Sequence, residues 1–132
     1  MTQVAVYGSL RKGMHNHCLL TGEGSTYIGT TMTADVAAMY SLGGFPMVSL
    51  KGDKISHIVV EIYEVDDKCL ARLNQLEGYR GEDCNNFYDR SLIKLQELGE
   101  AYIYHIEDSP RRTDTVVSNG DWVEYYGARY KD

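Results

Sequence analysis

Apolar residues fall in short runs broken by turn formers, the signature of strands rather than long helices. Val4 to Tyr7 is an unbroken apolar run stopped by Gly8-Ser9, and a polar loop, Arg11 to Asn16, follows Leu10. Tyr27 to Thr31 and Val36 to Leu42 read as two further strands. Gly43-Gly44-Phe45-Pro46 then forces a turn, because glycine tolerates positive φ and proline fixes its own. His57 to Val65, rich in Ile and Val, is the strongest strand pattern. One helix is legible after it. Asp66 or Asp67 can cap its start, Leu70, Leu73 and Leu76 recur at helical spacing, and Gly78 stops it. Tyr88 to Gln96 and Ala101 to Ile106 are strands joined through Leu98-Gly99 in hairpin style, and Asn119-Gly120-Asp121-Trp122 is a turn that returns a tryptophan to the body. About six strands, one good helix and short connections predict an α+β fold: a small mixed, mainly antiparallel sheet, closed or half-closed into a β-barrel and flanked by helices.

The chain has 132 residues, which predicts one domain over 1–132 and exceeds the roughly 55–65 at which domains fold unaided. Eleven tyrosines against two phenylalanines and one tryptophan fit either a polar-lined cavity or simply a β-rich fold. A net charge of −6 with scattered basic residues, Arg111-Arg112 being too short for a patch, argues against nucleic-acid binding. No apolar stretch approaches 18 residues and the N-terminus reads as no signal peptide, so no membrane role is expected. Cys18, Cys69 and Cys84 are odd in number and lack CxxC spacing, which implies neither a disulfide framework nor a zinc knuckle and makes a cytoplasmic setting the default. A monomer or weak homodimer is expected.

The candidate chemistry is concentrated at two places. Tyr7-Gly8-Ser9-Leu10 closes a buried strand with a turn whose main-chain N–H groups can hold an anion, though a Gly-Ser after a strand is also an ordinary turn. Glu77 ends the helix, at the negative pole of its dipole. Burial there would penalise its charged form further, and a carboxyl raised above its usual value of about 4.3 suits general acid–base work. The alternative is a Glu77 turned outward as a solvated helix-end charge. His15 and His17 sit in a polar loop with no third ligand nearby, so no metal is expected. His57 and His105 read as packed or hydrogen-bonded. No Gly-x-Ser-x-Gly and no placeable Cys–His pair supports nucleophilic catalysis by the protein. Glu61, between Val60 and Ile62, is either a second pocket carboxylate or part of a strand with one wet face.

The run Val4-Ala5-Val6-Tyr7-Gly8-Ser9-Leu10-Arg11-Lys12-Gly13 resembles the N-terminal signature of the γ-glutamylcyclotransferase-like superfamily, which includes the γ-glutamylamine cyclotransferases and the AIG2-like proteins. The resemblance continues, in order, through Asn16-His17, Met39 to Pro46, Val60-Glu61-Ile62-Tyr63, Leu73 to Tyr79, Tyr88-Asp89-Arg90, Ala101 to Tyr104 and Gly120-Asp121-Trp122. It implies a small barrel with one pocket and no metal or cofactor. It implies that Tyr7, Gly8, Ser9 and Leu10, with Asn16 and Tyr88, hold a small γ-glutamyl substrate, and that Glu77 is the catalytic acid–base residue. The reaction implied is closure of the γ-glutamyl group into 5-oxoproline with release of an amine or amino acid; the alternative is a non-catalytic binding module on the same fold. Members often carry glycine where this chain has Val60, which either narrows the pocket or packs outside it. The polar stretch Gly81 to Asn86 is expected to influence which leaving group is accepted, a choice the sequence leaves open among peptide, amine and isopeptide lysine.

Overall fold

The computed structural model describes residues 1–81, 87–106 and 115–130, with side chains through 127. All of the polar stretch Gly81 to Asn86 except Gly81, including Cys84, and the Arg111-Arg112 pair therefore lie outside the described residues. Eight strands are present among them: β1 (Thr2–Val6), β2 (Ser25–Met32), β3 (Ala38–Ser41), β4 (Pro46–Ser49), β5 (Val59–Val65), β6 (Asp89–Lys94), β7 (Glu100–His105) and β8 (Thr115–Val116). Two α-helices, α1 (Asp67–Glu77) and α2 (Trp122–Tyr130), and a short 3-10 helix at His17–Leu20 accompany them.

The strands form a five-stranded sheet in the order β2-β5-β1-β7-β6 and a three-stranded sheet in the order β4-β3-β8. All pairings are antiparallel except β1 with β7, which run parallel with Val4 opposite Tyr102 and Ala5 opposite Ile103. The α+β expectation holds, but the sheets do not close into a barrel: β2 and β6 are the two edge strands of the larger sheet and meet only at their ends, through an antiparallel bridge between Thr33 and Leu95. Alternating polarity specifies which faces are buried and not which edges meet, so closure was not written in the pattern.

Strand β1 shows why its sequence is continuously apolar. Val4 and Val6 face one hydrophobic cluster with Tyr63, Val65, Cys69, Leu73 and Tyr104, while Ala5 and Tyr7 face a second with Met39, Val48, Ile62, Ile103 and Trp122. A central strand covered on both sides has no wet face and needs no polar alternation. Val60 belongs to the second cluster and is fully buried, so its side chain packs in the core.

Helix α1 starts and stops where its residues dictate. The Asp66 carboxylate accepts the Cys69 N–H at 2.8 Å. Gly78 takes a left-handed φ of 69°, and the Gly78 and Tyr79 N–H groups donate to the Gln75 and Asn74 carbonyls, a Schellman end. The buried face is Cys69 and Leu73, whereas Leu76 is exposed rather than part of the core stripe. Helix α2 follows the turn expected at Asn119-Gly120-Asp121 and has no counterpart among the sequence-predicted elements. Its start carries a cap, Asp121 Oδ1 accepting the Glu124 N–H at 3.2 Å. Trp122 is fully buried against the rings of Tyr125 and Tyr126.

Candidate active site

The turn after β1 is held from three directions. The Arg11 N–H bonds to the Gly8 carbonyl at 3.0 Å, and the Asn16 N–H to that of Ser9 at 2.9 Å. Asn16 Nδ2 also donates to Ser9 Oγ at 2.9 Å. Beneath the loop lies Glu61, buried, with Arg11 Nε at 2.9 Å, the Lys12 N–H at 2.9 Å and the Tyr63 hydroxyl at 2.9 Å from its carboxylate. Arg11 Nη1 reaches on to Asp121 at the head of α2, at 2.8 Å. Glu61 is thus neither of the two things the sequence offered: it is a buried anchor whose charge is compensated by a cation and two neutral donors. The N–H groups of Ser9 and Leu10 have no partner among the described residues, so two main-chain donors stay free beside an opening in the fold.

That opening is a cavity of about 510 Å³. Tyr7, Gly8, Ser9 and Leu10 line one side of it, and Asn16, Glu77 and Tyr88 line it as well. The seven residues singled out in the sequence therefore share one cavity. Gly8 stands there for a steric reason: a Cβ at this position would meet Pro46 Cγ at 2.8 Å and Cδ at 2.9 Å. The turn can pack against the start of β4 only without a side chain.

Glu77 reaches the cavity because the Schellman end turns the chain sharply there, and because β6 is tied beneath it, the Tyr88 N–H bonding the Glu77 carbonyl at 3.1 Å. Its carboxyl is half-buried and has no hydrogen bond or ion pair among the described residues. Desolvation pushes its pKa from 4.5 up to about 7. The cause is burial. Tyrosines surround it. The Tyr7 hydroxyl donates to the Tyr104 carbonyl at 2.8 Å and that of Tyr88 to the Pro46 carbonyl at 2.8 Å. The Tyr104 hydroxyl donates to Asn74 Oδ1 at 2.5 Å, one turn before Glu77 on α1. Burial raises all three phenols far above their usual value, so they stay neutral donors beside the carboxyl.

Tyr104 escaped sequence reasoning. Tyr102 and Tyr104 share one face of β7, and it is the Tyr104 ring, bonded to Asn74 of α1, that stands beside Glu77. His15 lines the cavity, but His17 Nδ1 bonds the Leu10 carbonyl at 2.9 Å. No group of three metal-ligating side chains occurs among the described residues. His57 and His105 are hydrogen-bonded, to the Thr33 carbonyl at 2.8 Å and Ser91 Oγ at 2.7 Å.

Comparison with known families gives a match to the family described as gamma-glutamyl cyclotransferase, AIG2-like, over residues 4–124. The chain belongs to this family. It is accordingly an enzyme of the γ-glutamyl cyclotransferase, AIG2-like type. A protein of Methanocaldococcus jannaschii assigned by name to the γ-glutamylcyclotransferases is 38% identical over 96% of this chain and 100% of its own length. The γ-L-glutamyl-butirosin B γ-glutamyl cyclotransferase of Niallia circulans is 29% identical, over 95% of this chain and 78% of its own. An AIG2-like protein from mouse superposes with a TM-score of 0.74 at 23% identity, over 92% of this chain and 88% of that one, and so shares the fold. The cavity thus combines a carboxyl raised toward neutrality, unpartnered main-chain donors and buried tyrosine rings. No helix is long and apolar enough to cross a membrane among the described residues.

Proposed function

We propose that the protein closes the γ-glutamyl group of a small substrate into 5-oxoproline, with Glu77 shuttling the proton and the Tyr7–Leu10 turn holding the glutamyl end. One observation carries the reading: an unpaired carboxyl poised near pH 7 faces the same cavity as the free Ser9 and Leu10 N–H groups. The name of the Niallia circulans relative, which specifies a γ-glutamyl substrate, supports it.

The chemistry needs no nucleophile from the protein. The substrate's α-amine attacks its own γ-carbonyl carbon, the new C–N bond closes a five-membered lactam, and the original amide C–N bond breaks. Holding the chain in the attacking conformation is worth up to about 7–11 kcal/mol. The ammonium must lose a proton to become nucleophilic, and the departing nitrogen must gain one. Glu77 takes the first and returns it in the second, and a pKa of about 7 lets it do both at neutral pH. The unpaired N–H groups of the turn suit the substrate α-carboxylate or the developing oxyanion. Asn16 keeps Ser9 in place, and Tyr88 and Tyr104 keep water from the carboxyl.

Incubation with a panel of γ-glutamyl compounds, including glutathione, a γ-glutamyl dipeptide and γ-glutamylalkylamides, is expected to release 5-oxoproline from at least one. Release of free glutamate in its place would refute the reading. Gly8→Val tests the turn. Because the added Cβ collides with the Pro46 ring, the turn must move away from its position. Binding of 5-oxoproline, followed by calorimetry, is expected to weaken at least tenfold in a protein that still melts cooperatively. Unchanged affinity in the folded variant would remove the turn from the site.

A further inference from the structure

We propose that Phe45, Leu76 and Phe87 form an apolar collar at the mouth of the cavity and select the leaving amine by its hydrocarbon content. The inference rests on the cyclotransferase reading of the same cavity and adds which part of the substrate is discriminated and by what.

The walls of the cavity change character from floor to mouth. Tyr7, Leu10, Tyr88 and Tyr104 are buried, whereas Phe45 is 40% exposed, Leu76 42% and Phe87 61%. Three large apolar side chains held open to water around one concave site are costly unless something covers them, and such patches mark binding grooves. The three come from unrelated stretches of chain: the turn between β3 and β4, the last turn of α1 and the approach to β6. Each is fixed locally. The Phe45 carbonyl accepts the Leu42 N–H at 2.9 Å, the Phe87 N–H donates to the Gly78 carbonyl at 3.1 Å, and the Phe87 ring stands edge-on to Tyr88 at 5.0 Å. Leu76 has left the buried Cys69–Leu73 face of its own helix to reach the rim.

Geometry says which end of the substrate meets the collar. Glu77 must touch the departing nitrogen to return its proton. With the glutamyl end at the Ser9 and Leu10 donors, the amine substituent passes Glu77 and emerges beside its neighbour Leu76. There it meets two rings and an isobutyl group. No lysine or arginine is among the described residues lining the cavity, and His15, which does line it, adjoins Asn16 on the side of the Ser9 turn. A leaving group carrying its own carboxylate therefore faces Glu77 and apolar carbon, while an alkyl or aryl amine buries surface. Only burial retained in the transition state raises kcat/KM, and the substituent is still in place when the C–N bond breaks.

The test uses the γ-glutamyl amides of methylamine, propylamine and pentylamine with γ-glutamylglycine, reading kcat/KM from 5-oxoproline release. A gain of at most about fourfold per methylene, reached only where the methylene is fully buried, is expected, so the pentylamide should be at least tenfold better than the methylamide and γ-glutamylglycine below both. In Phe45→Ala/Phe87→Ala the pentyl-to-methyl ratio is expected to fall below threefold. In Phe45→Leu/Phe87→Leu, which keeps apolar bulk at both positions, it is expected to stay near the wild-type value. A wild-type ratio within threefold, a ratio unchanged in the alanine variant, or a preference for γ-glutamylglycine would overturn the collar while 5-oxoproline release left the cyclotransferase reading standing. Failure of every amide to yield 5-oxoproline would remove both.

Discussion

Glu77→Gln is expected to lower turnover by about 10²–10⁴-fold, the range that a positioned acid–base group supplies. The amide has the shape of the carboxyl but carries no exchangeable proton at the needed pKa. The same substitution should make the protein more stable at alkaline pH. The folded carboxyl titrates near 7 and the unfolded one near 4.5. Between those values the folded state binds more protons than the unfolded state, so stability falls as pH rises across the window. Removing the ionisable group removes that loss, with a ceiling of about 3 kcal/mol that partial solvent access will reduce. Melting curves of variant and wild type are therefore expected to coincide near pH 4 and separate above pH 7, the variant melting higher. An inactive variant that is also more stable cannot be explained by misfolding. Turnover within threefold of wild type would end the assignment. Equal melting temperatures at pH 8 would show that Glu77 is not desolvated.

Some of this was legible in the sequence and some was not, for identifiable reasons. Helix α1 was readable because its cap, Asp66, and its stop, Gly78, are local signals whose hydrogen bonds close within the helix. That boundary puts Glu77 at the helix end but leaves open whether it turns inward or outward, and only the fold brings it to the cavity. Strand β4 opens on Pro46, the last residue of the expected turn, and only its pairing with β3, Met39 opposite Val48 and Tyr40 opposite Met47, makes it a strand. The two residues of β8 have no pattern of their own. Helix α2 carried a readable Asp-x-x-Glu start at Asp121 and Glu124, outweighed by the aromatic run behind it. Leu76 was assigned to the core from its spacing. Helical spacing names a face and cannot say which residue on it meets solvent, and the chain uses Leu76 to line the cavity. Glu61 could not be read at all, since its three partners lie in the loop after β1 and at Tyr63. The polar anchor and the aromatic floor are both made by long-range pairing of β1 with its neighbours β5 and β7.

The chemistry itself is tested by N-acetylation of the substrate, which is expected to abolish 5-oxoproline formation altogether. Acylation removes the amine lone pair that attacks the γ-carbonyl and the proton that Glu77 takes, and leaves the scissile amide bond unaltered. A hydrolase using water or a protein nucleophile would retain that bond as a target and release N-acetylglutamate. The same proton logic sets the pH profile. The productive complex has Glu77 ionised and the substrate amine protonated, and the proton passes from the amine to Glu77 before attack. The profile of kcat/KM should therefore rise with a limb near 7 from Glu77 and fall with a limb at higher pH, where the substrate α-amine, held up by its own α-carboxylate, loses its proton. The two protons belong to one coupled pair, so the limbs describe the pair rather than either group alone. In Glu77→Gln the residual activity should lose the lower limb and track the neutral amine alone, rising through the upper one. Free and N-acetylated forms of the best substrate, incubated side by side and resolved by mass, decide the matter. N-acetylglutamate from the blocked form, or free glutamate from the unblocked one, would overturn ring closure even if Glu77 proved indispensable.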